Sequence, residues 1–198
     1  STGVLTNAGT IVPGVTKEAL LMDPVLPVYD ASEPGGYTYE NDRGTTLGNP
    51  FAEAREYDSY GVTSQVLGNV YLIYRIIPGL EFKTTFGIDA YSTKENSFGP
   101  NFLKRTEASK GEASVGTKQG MTWLNENTLT YQKSFNRNNV LQVLAGYTMQ
   151  RFHEEGLLTY AFDFPDNRTG WHDIGAALNP QNPSNSESSW SMISYLGR

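Results

Sequence analysis

The segment from Val66 to Ser92 contains two runs of alternating apolar and polar residues, with Pro78-Gly79 between them. Successive side chains of a β-strand point to opposite faces, so this alternation predicts strands with one apolar and one polar face. Pro-Gly is typical of a tight turn, and the segment is therefore predicted to be a β-hairpin. After the turn, one face carries Leu80, Phe82, Thr84, Phe86, Ile88 and Ala90, and the other carries Glu81, Lys83, Thr85, Gly87, Asp89 and Tyr91.

Each run of this hairpin is about ten residues or longer, whereas strands of soluble proteins usually have about five or six. A strand that crosses a bilayer at a tilt needs roughly 9 to 11 residues. Two kinds of protein fit such a hairpin, an outer-membrane β-barrel and a long-stranded soluble sandwich. Both alternate between apolar and polar side chains, so the hairpin alone is compatible with either.

The rest of the chain repeats the pattern, with strands joined in turn by short and long connections. Short turns are predicted at Pro78-Gly79 and at Phe135–Asn139, and long loops at 93–120 and 154–188. In outer-membrane barrels the short turns face the periplasm and the long loops face outside, so this alternation favours a barrel. The predicted strands cover residues 64–76, 80–92, 121–134, 140–153 and 189–198.

Residues 1–63 are predicted to form a long extracellular loop segment, because they are rich in turn-forming Gly and Pro. Two short helices are predicted within it, one at Val15–Met22 and one within Phe51–Tyr60. An irregular connection of this length is uncommon in a compact soluble domain and usually has a function. The predicted fold is therefore all-β, an antiparallel transmembrane β-barrel segment of about five long strands with long extracellular loops.

Composition and motifs argue against several other kinds of protein. The chain has no cysteine, which excludes a disulfide framework and thiolate metal sites. Its formal net charge of −6, without a basic run, argues against nucleic-acid binding. His153 and His172 lack the spacing of a metal-binding pair, and the carboxylates at 163–173 do not follow a calcium-loop pattern. No nucleophile or phosphate-binding motif is present, so no catalytic residue, metal or cofactor is predicted.

Charged side chains of the polar face are the first candidate site. Alternation places them on the side opposite the large apolar residues, and adjacent strands would bring them together. In a barrel this side would line a hydrated lumen, while the apolar side would face lipid. The candidate lumen-lining residues are Arg75, Glu81, Lys83, Asp89 and Glu126.

Aromatic residues after position 153 are the second candidate site. Tyr160, Phe162, Phe164 and Trp171 all lie in the predicted loop at 154–188. Flat aromatic faces suit sugar rings and partner proteins, so these side chains are predicted to contact a ligand or a lid. The alternative interpretation is that they fold the loop onto itself.

The order of several segments along the chain resembles one family of membrane proteins. The segments are far more specific in this order than any one of them alone, and together they cover about Ala19 to Arg198. They are DPVLPVYD, NPFAEAR, GNVYLIYRIIPGLEFKTTFGID, WLNENTLTY, VLQVLAGYTMQ and SYLGR. The chain resembles the middle of the barrel of the SusC/RagA-type TonB-dependent transporters of the Bacteroidota outer membrane.

The resemblance implies a barrel of about 22 strands, filled by an N-terminal plug and embedded in the bacterial outer membrane. It also implies a SusD-like surface lipoprotein that binds an oligosaccharide or peptide substrate, and energy from TonB delivered through the plug. No segment of the sequence resembles the plug or a TonB-contacting box, so we expect a piece of a longer chain. With its apolar face toward membrane lipid, such a piece is not expected to be a stable soluble monomer.

Two soluble alternatives remain open at this point. A secreted carbohydrate-binding β-sandwich would also combine alternating strands with many aromatic residues. A β-rich enzyme that acts on glycans is the less favoured alternative, because no constellation of carboxylates suggests an acid–base pair. Detergent dependence would distinguish the barrel segment from both alternatives.

Overall fold

The structure is a computed structural model that describes residues 4–5, 15–39, 47–136 and 139–198. A single antiparallel sheet of seven strands runs through it, in the order β1 to β6, with β7 also paired to β5. The strands are β1 (Val4–Leu5), β2 (Asp58–Ile77), β3 (Leu80–Gly99), β4 (Glu112–Asn136), β5 (Asn139–Phe162), β6 (Asn179–Pro180) and β7 (Ser184–Gly197).

The short turn between β2 and β3 is the one predicted from Pro78-Gly79. Gly79 has a φ of 86°, which disfavours other residues. Its carbonyl oxygen accepts a hydrogen bond of 2.7 Å from the backbone N–H of Gln132 on β4. A Cβ at Gly79 would collide with the carbonyl oxygen of Gln132, so the neighbouring strand also requires glycine here.

Strand register shows which side chains share a face across the sheet. Val70 pairs with Phe86, and Phe86 pairs with Asn125 on the next strand. Asn125 in turn pairs with Met149, and Met149 with Ile193. Outside the bulges, even-numbered residues of β2 and β3 therefore share a face with odd-numbered residues of β4, β5 and β7. We call this the apolar face and the opposite side of the same strands the polar face.

The strands extend further than predicted, and the predicted bounds at 92, 121 and 153 were wrong. β3 continues to Gly99, β4 already begins at Glu112, and β5 continues to Phe162. These extensions contain Ser, Thr, Gly, Lys and Glu without an apolar alternation, so the pattern could not reveal them. Pairing stabilises them instead, as in the hydroxyl contacts between Thr63 and Thr93 (2.9 Å) and between Ser97 and Ser114 (2.7 Å).

The predicted turn at Phe135–Asn139 is shorter in the structure. β4 ends at Asn136 and β5 begins at Asn139, and the residues between them lie outside the described part of the chain. The last strand begins at Ser184, earlier than the predicted residue 189. In the first segment, β2 already begins at Asp58, so the predicted loop at 1–63 ends there.

Both predicted helices form, with slightly different ends. They are α1 (Val15–Leu21) and α2 (Pro50–Glu56), and a further short helix, α3 (Lys104–Glu107), lies in the connection between β3 and β4. Short 3₁₀ helices cover Pro34–Gly36 and Gly170–Ala176. No helix in the described ranges combines the length and apolar character needed to cross a membrane.

Among the residues that the structure describes, the buried side chains gather at the end of the sheet opposite the short turns. We call the segments packed there the cap, which comprises residues 15–39, 47–57, 100–111 and 163–178. A first cluster lies on the apolar-face side and contains Phe98, Ala113, Ala161, Phe164 and Ala177. A second cluster contains Tyr37, Ala52 and Leu103, with Tyr39, Tyr57 and Phe102 packed against it. The cap therefore has its own small cores, on which its helices and loops are held.

Candidate functional site

The polar face carries every charged residue that the sequence predicted to line a lumen. Arg75 and Glu81 are direct register partners, and Nε of Arg75 lies 3.5 Å from Oε2 of Glu81. The ammonium group of Lys83 lies 5.2 Å from the ring centroid of Tyr71. Register thus places the first three predicted side chains together near the short turn.

Asp89 and Glu126 lie on the same face, further from the turn. The side-chain amide of Gln65 donates a hydrogen bond of 2.7 Å to Asp89. Glu126 pairs in register with Thr85 on one side and with Thr148 on the other. The polar face thus carries charged and hydroxyl side chains across β2 to β5, interrupted by the apolar side chains of Leu67, Ile73, Leu124, Leu144 and Phe152.

A further polar network lies on this face, closer to the cap. The hydroxyl of Tyr91 donates to the carboxylate of Glu154, and Nζ of Lys118 lies 3.0 Å from Oε1 of the same carboxylate. A Cβ at Gly120 would collide with the ring of Tyr91, so glycine at this position allows the ring to lie across the strand. Sequence reasoning missed Lys118 and Glu154 because both fall in segments predicted as loops.

A shallow depression of about 260 Å³ adjoins this network. Gly116 and Gly156 form part of its lining, together with Thr93, Glu95 and Lys118. Both glycines lie on the polar face. Because glycine has no side chain, the surface of the sheet is recessed at these two positions. Leu157 and Leu158 also line the depression, which therefore combines apolar surface with hydrogen-bonding and charged groups.

The predicted loop aromatics do not form one site. Tyr160 and Phe162 belong to β5, and register places both on the polar face. Phe164 is 1% exposed and packs edge-on against Phe98 in the first cluster. Its side chain is therefore not available to a ligand, which corrects the prediction for Phe164 and agrees with the alternative that the loop folds onto itself.

Trp171 lies on the opposite side of the sheet from Tyr160. Its indole N–H donates a hydrogen bond of 2.8 Å to Asp58, and its ring stacks on Tyr60 at 6.0 Å between centroids. Trp171 is only partly buried and packs against the first cluster. A ligand or lid contact remains a prediction for Tyr160, Phe162 and Trp171.

The apolar face carries a band of large side chains between the short turns and the cap. Towards the cap, the band ends at Val66, Ala90 and Met121 on the first three long strands, before a polar residue follows on each. These residues are register partners, whereas on β5 and β7 the band already ends at Met149 and Ile193. The border of the band is therefore level in register across β2 to β4 and lies closer to the short turns on β5 and β7.

Two amides interrupt this band. Asn125 and Asn127 lie on the apolar face, as register partners of Phe86 and Thr84. The side-chain amide of Asn127 donates to Asn125 at 2.7 Å, and that of Asn125 donates to the carbonyl oxygen of Thr85 at 3.2 Å. Mutual hydrogen bonds thus reduce the cost of placing amides among apolar side chains.

The oxygen-rich loop at 163–173 has its polar groups occupied by neighbours. Nε of Arg168 donates to Asp166 at 2.7 Å, and these hydrogen bonds lower the pKa of Asp166 to about 2. Lys110 lies 3.5 Å from Asp163, and the side-chain amide of Asn167 donates to Asn101 at 2.9 Å. Within the described ranges, no group of three or more His, Asp or Glu is placed to hold a metal ion.

Several large apolar side chains of the cap are exposed. Leu20 is 81% exposed and Val25 is 83% exposed, and the rings of Tyr29 and Phe51 are about half exposed. The two rings meet edge-on at 5.8 Å between centroids. Burial and a hydrogen bond of 2.6 Å to Glu56 raise the pKa of Tyr37, beneath these rings, to about 12, so its hydroxyl is a permanent donor.

Comparison with known proteins gives similar receptors from the bacterium Formosa agariphila. The chain is 33% identical to TonB-dependent receptor P3, over 99% of this chain and 20% of that protein. It is 28% identical to TonB-dependent receptor P26, over 88% of this chain and 18% of that protein. The chain thus spans about a fifth of the length of these curated relatives, which are receptors and not enzymes.

Solved structures show the same fold. The RagAB peptide transporter matches with a TM-score of 0.71 over 82% of this chain and 18% of that chain, at 16% identity. The same importer in its "open-open" state matches with a TM-score of 0.69 over 82% of this chain. No family model matches the chain. The sheet therefore has the fold of a segment of a β-barrel wall.

Proposed function

Because this chain is a segment of a SusC/RagA-type TonB-dependent receptor of the bacterial outer membrane, we propose that it forms part of the wall and outer mouth of a barrel that imports nutrients. The division of charge between the two faces of the same strands carries this proposal. The apolar face would contact membrane lipid, and the polar face would line the hydrated path of an oligosaccharide or peptide.

On this proposal the charged side chains act as contacts along a wet wall and perform no chemistry. Arg75 and Glu81 neutralise each other near the short turn, and Lys118 and Glu154 do so near the cap. Because the paired charges cancel, this face would not produce a strong electrostatic potential of one sign, and the charged groups could still form hydrogen bonds with a polar solute. Tyr160, 44% exposed on the same face, would add an aromatic surface near the mouth.

The cap would lie on the extracellular side. All long connections meet at the cap, and the short turns lie at the opposite end of the strands, as in outer-membrane barrels. The extensions of β3, β4 and β5 beyond the apolar band would then stand above the bilayer, since polar residues such as Lys94, Thr117 and Glu155 lie on the same side there, beside Val115 and Leu157.

A SusD-like surface lipoprotein is the proposed partner of the cap. Leu20, Val25, Tyr29 and Phe51 of the cap are exposed and would meet water at the mouth, and exposed large apolar side chains that lie close together mark interaction sites. Energy from TonB would reach the barrel through a plug region, to which the residues of this chain make no direct contribution. In the parent receptor, the V25E variant should recover less lipoprotein on co-purification, whereas E33Q should not.

A soluble carbohydrate-binding sandwich is less well supported. A sandwich buries one face of each sheet against a second sheet, whereas the described ranges contain a single sheet. Between the short turns and the cap, Val70, Leu72 and Phe86 are all exposed, at 68%, 64% and 46%. Side chains of this size need lipid, or another part of the barrel, to cover them.

Cysteine labelling of the parent receptor on whole cells tests the proposed sidedness. S186C, close to the cap, and S109C, within it, should react with a membrane-impermeant maleimide. N139C, beside the short turn between β4 and β5, should react only after the outer membrane is permeabilised. Asn138, in the same predicted turn, lies outside the residues that the structure describes. Labelling of N139C and not S186C on intact cells would refute the proposal.

A further inference from the structure

The cap contains a buried carboxyl group that the proposed transport path does not use. Glu53 lies on α2 and is 2% exposed. Its Oε2 is 4.0 Å from Nε of Arg105 on α3, too far for a hydrogen bond. Its Oε1 is buried and has no hydrogen-bond partner among the residues that the structure describes. Arg105 supplies a backbone hydrogen bond to this carboxyl and a guanidinium 4.0 Å away, so an ionised carboxylate would be only partly compensated.

The charged neighbours of Glu53 come from every element packed around it. Glu18 of α1 and Glu112 at the start of β4 act on it as like charges, while Arg105 of α3 acts as an opposite charge. The guanidinium of Arg105 is held 4.2 Å above the ring centroid of Tyr57. Lys17 interacts with Glu18, and the Tyr39 hydroxyl senses the charge of Glu53. The guanidinium of Arg105 therefore attracts the carboxylates of both Glu18 and Glu53.

We propose that Glu53 is a proton-controlled latch for the cap. With the Glu53 carboxyl neutral, α1, α2 and α3 stay packed at the end of the strands, and its ionisation loosens that packing. This proposal depends on the proposed function in one respect, namely that the cap lies at the mouth of the barrel. It would make access to the mouth depend on the pH outside the cell.

The direction of the effect follows from the environment of Glu53. Burial and the negative charge of Glu18 raise the pKa of Glu53 from its ordinary 4.5 to about 7, against the opposing effect of Arg105. A raised carboxyl pKa means that the packed cap binds the proton more tightly than the loosened cap. The stabilisation is therefore complete below about pH 4.5 and is lost as the pH rises through about 7.

Hydrogen exchange of the full-length parent receptor in detergent tests the latch. Protection factors for residues 50–57 and 104–111 would be compared at pH 5.5 and pH 8, each corrected for the intrinsic pH dependence of exchange. We expect them to fall on the order of tenfold as the pH rises. In E53Q the side chain keeps its shape but cannot ionise, so the fall should disappear. A pH-independent wild type, or an E53Q variant with the same fall, would overturn the proposal.

Two further variants keep the test decisive if E53Q does not fold. E18Q removes a like charge, so the pH midpoint of cap protection should move down while the fall itself remains. E107Q, an exposed carboxylate of α3 paired with Lys104, is the matched control and should leave the midpoint unchanged. An unchanged midpoint in E18Q would refute the latch. Cysteine labelling reports sidedness separately, so failure of the transport proposal is distinguishable from failure of the latch.

Discussion

The cap and the strands below it are built in different ways. Among the described residues, the largest fully buried side chains all lie in the cap, and they are Phe164, Leu103, Glu53, Asn49 and Thr106. The buried side chains of the described strands lie at their cap ends and are Asn96, Phe98, Ala113 and Ala161, whereas the other side chains of these strands are exposed or only partly buried. The cap is thus stabilised by side-chain packing within the chain. The strands below it, which we call the wall, depend on their backbone hydrogen bonds and on the lipid or water that covers each face.

This difference is expected of a chain at a membrane. In lipid, backbone groups must be paired within the protein, and the long ladders from β2 to β5 satisfy them, with register shifts only beside the two short turns. Lipid is as apolar as the side chains that face it, so no second layer of protein is needed on that side. The cap would lie in water and must bury its own apolar residues. Substitutions should therefore have different costs in the two regions.

The largest effect is expected from removing a buried ring of the cap. F164A would leave a cavity beside Phe98 and Ala161, at a cost of about 3 to 5 kcal/mol. F86A on the wall is the control and should cost less, because lipid can fill the space. Hydrogen exchange of residues 163–178 in the parent receptor measures the first effect. Equal losses of stability in F164A and F86A would contradict the proposed difference between cap and wall.

A charge on the apolar face should have the next largest effect. F86K would place an ammonium group in the lipid-facing band and should cost about 2 to 4 kcal/mol near the bilayer midplane. T85K, the adjacent residue on the polar face, should be tolerated. Folding stability of the parent receptor in lipid vesicles measures both variants. A larger loss for T85K would mean that the faces have been assigned the wrong way round.

Loss of the helix cap at Asn49 should have an intermediate effect. Its side-chain oxygen accepts hydrogen bonds from the backbone N–H groups of Phe51 and Ala52, and its amide donates to Val28 and Thr38. N49A should therefore destabilise the cap by about 1 to 2 kcal/mol, measured as faster exchange of 50–57. N49D keeps the acceptor but loses the amide donors, so it should restore only part of the protection.

The smallest effect is expected from the ion pair at the turn end of the polar face. The side chain of Arg75 is 85% exposed and that of Glu81 is 41% exposed, so water screens their attraction. A double-mutant cycle of R75Q and E81Q should give a coupling of about 0 to 1 kcal/mol. A coupling above about 2 kcal/mol would show that this part of the wall is desolvated, in contrast to a wet lumen.

The sequence predicted the wall better than the cap. Alternation around Pro78-Gly79 placed Glu81 and Phe86 on opposite faces, and register confirms this separation. The cap has no such period, because its cores join residues that are far apart in sequence. Phe164 meets Phe98, and Tyr39 donates to the carbonyl oxygen of Phe102 at 2.5 Å. Such long-range contacts leave no local pattern to recognise.

The sequence alone determined the hairpins, the two faces of the strands, the glycine turn and the positions of α1 and α2. Each of these depends on residues within one strand, turn or helix, so local periodicity and backbone preference are sufficient. Only the tertiary structure decided how far the polar ends of β3, β4 and β5 pair, and that Lys118 meets Glu154. It also decided that Glu53 is buried, since burial depends on what other elements place around a residue.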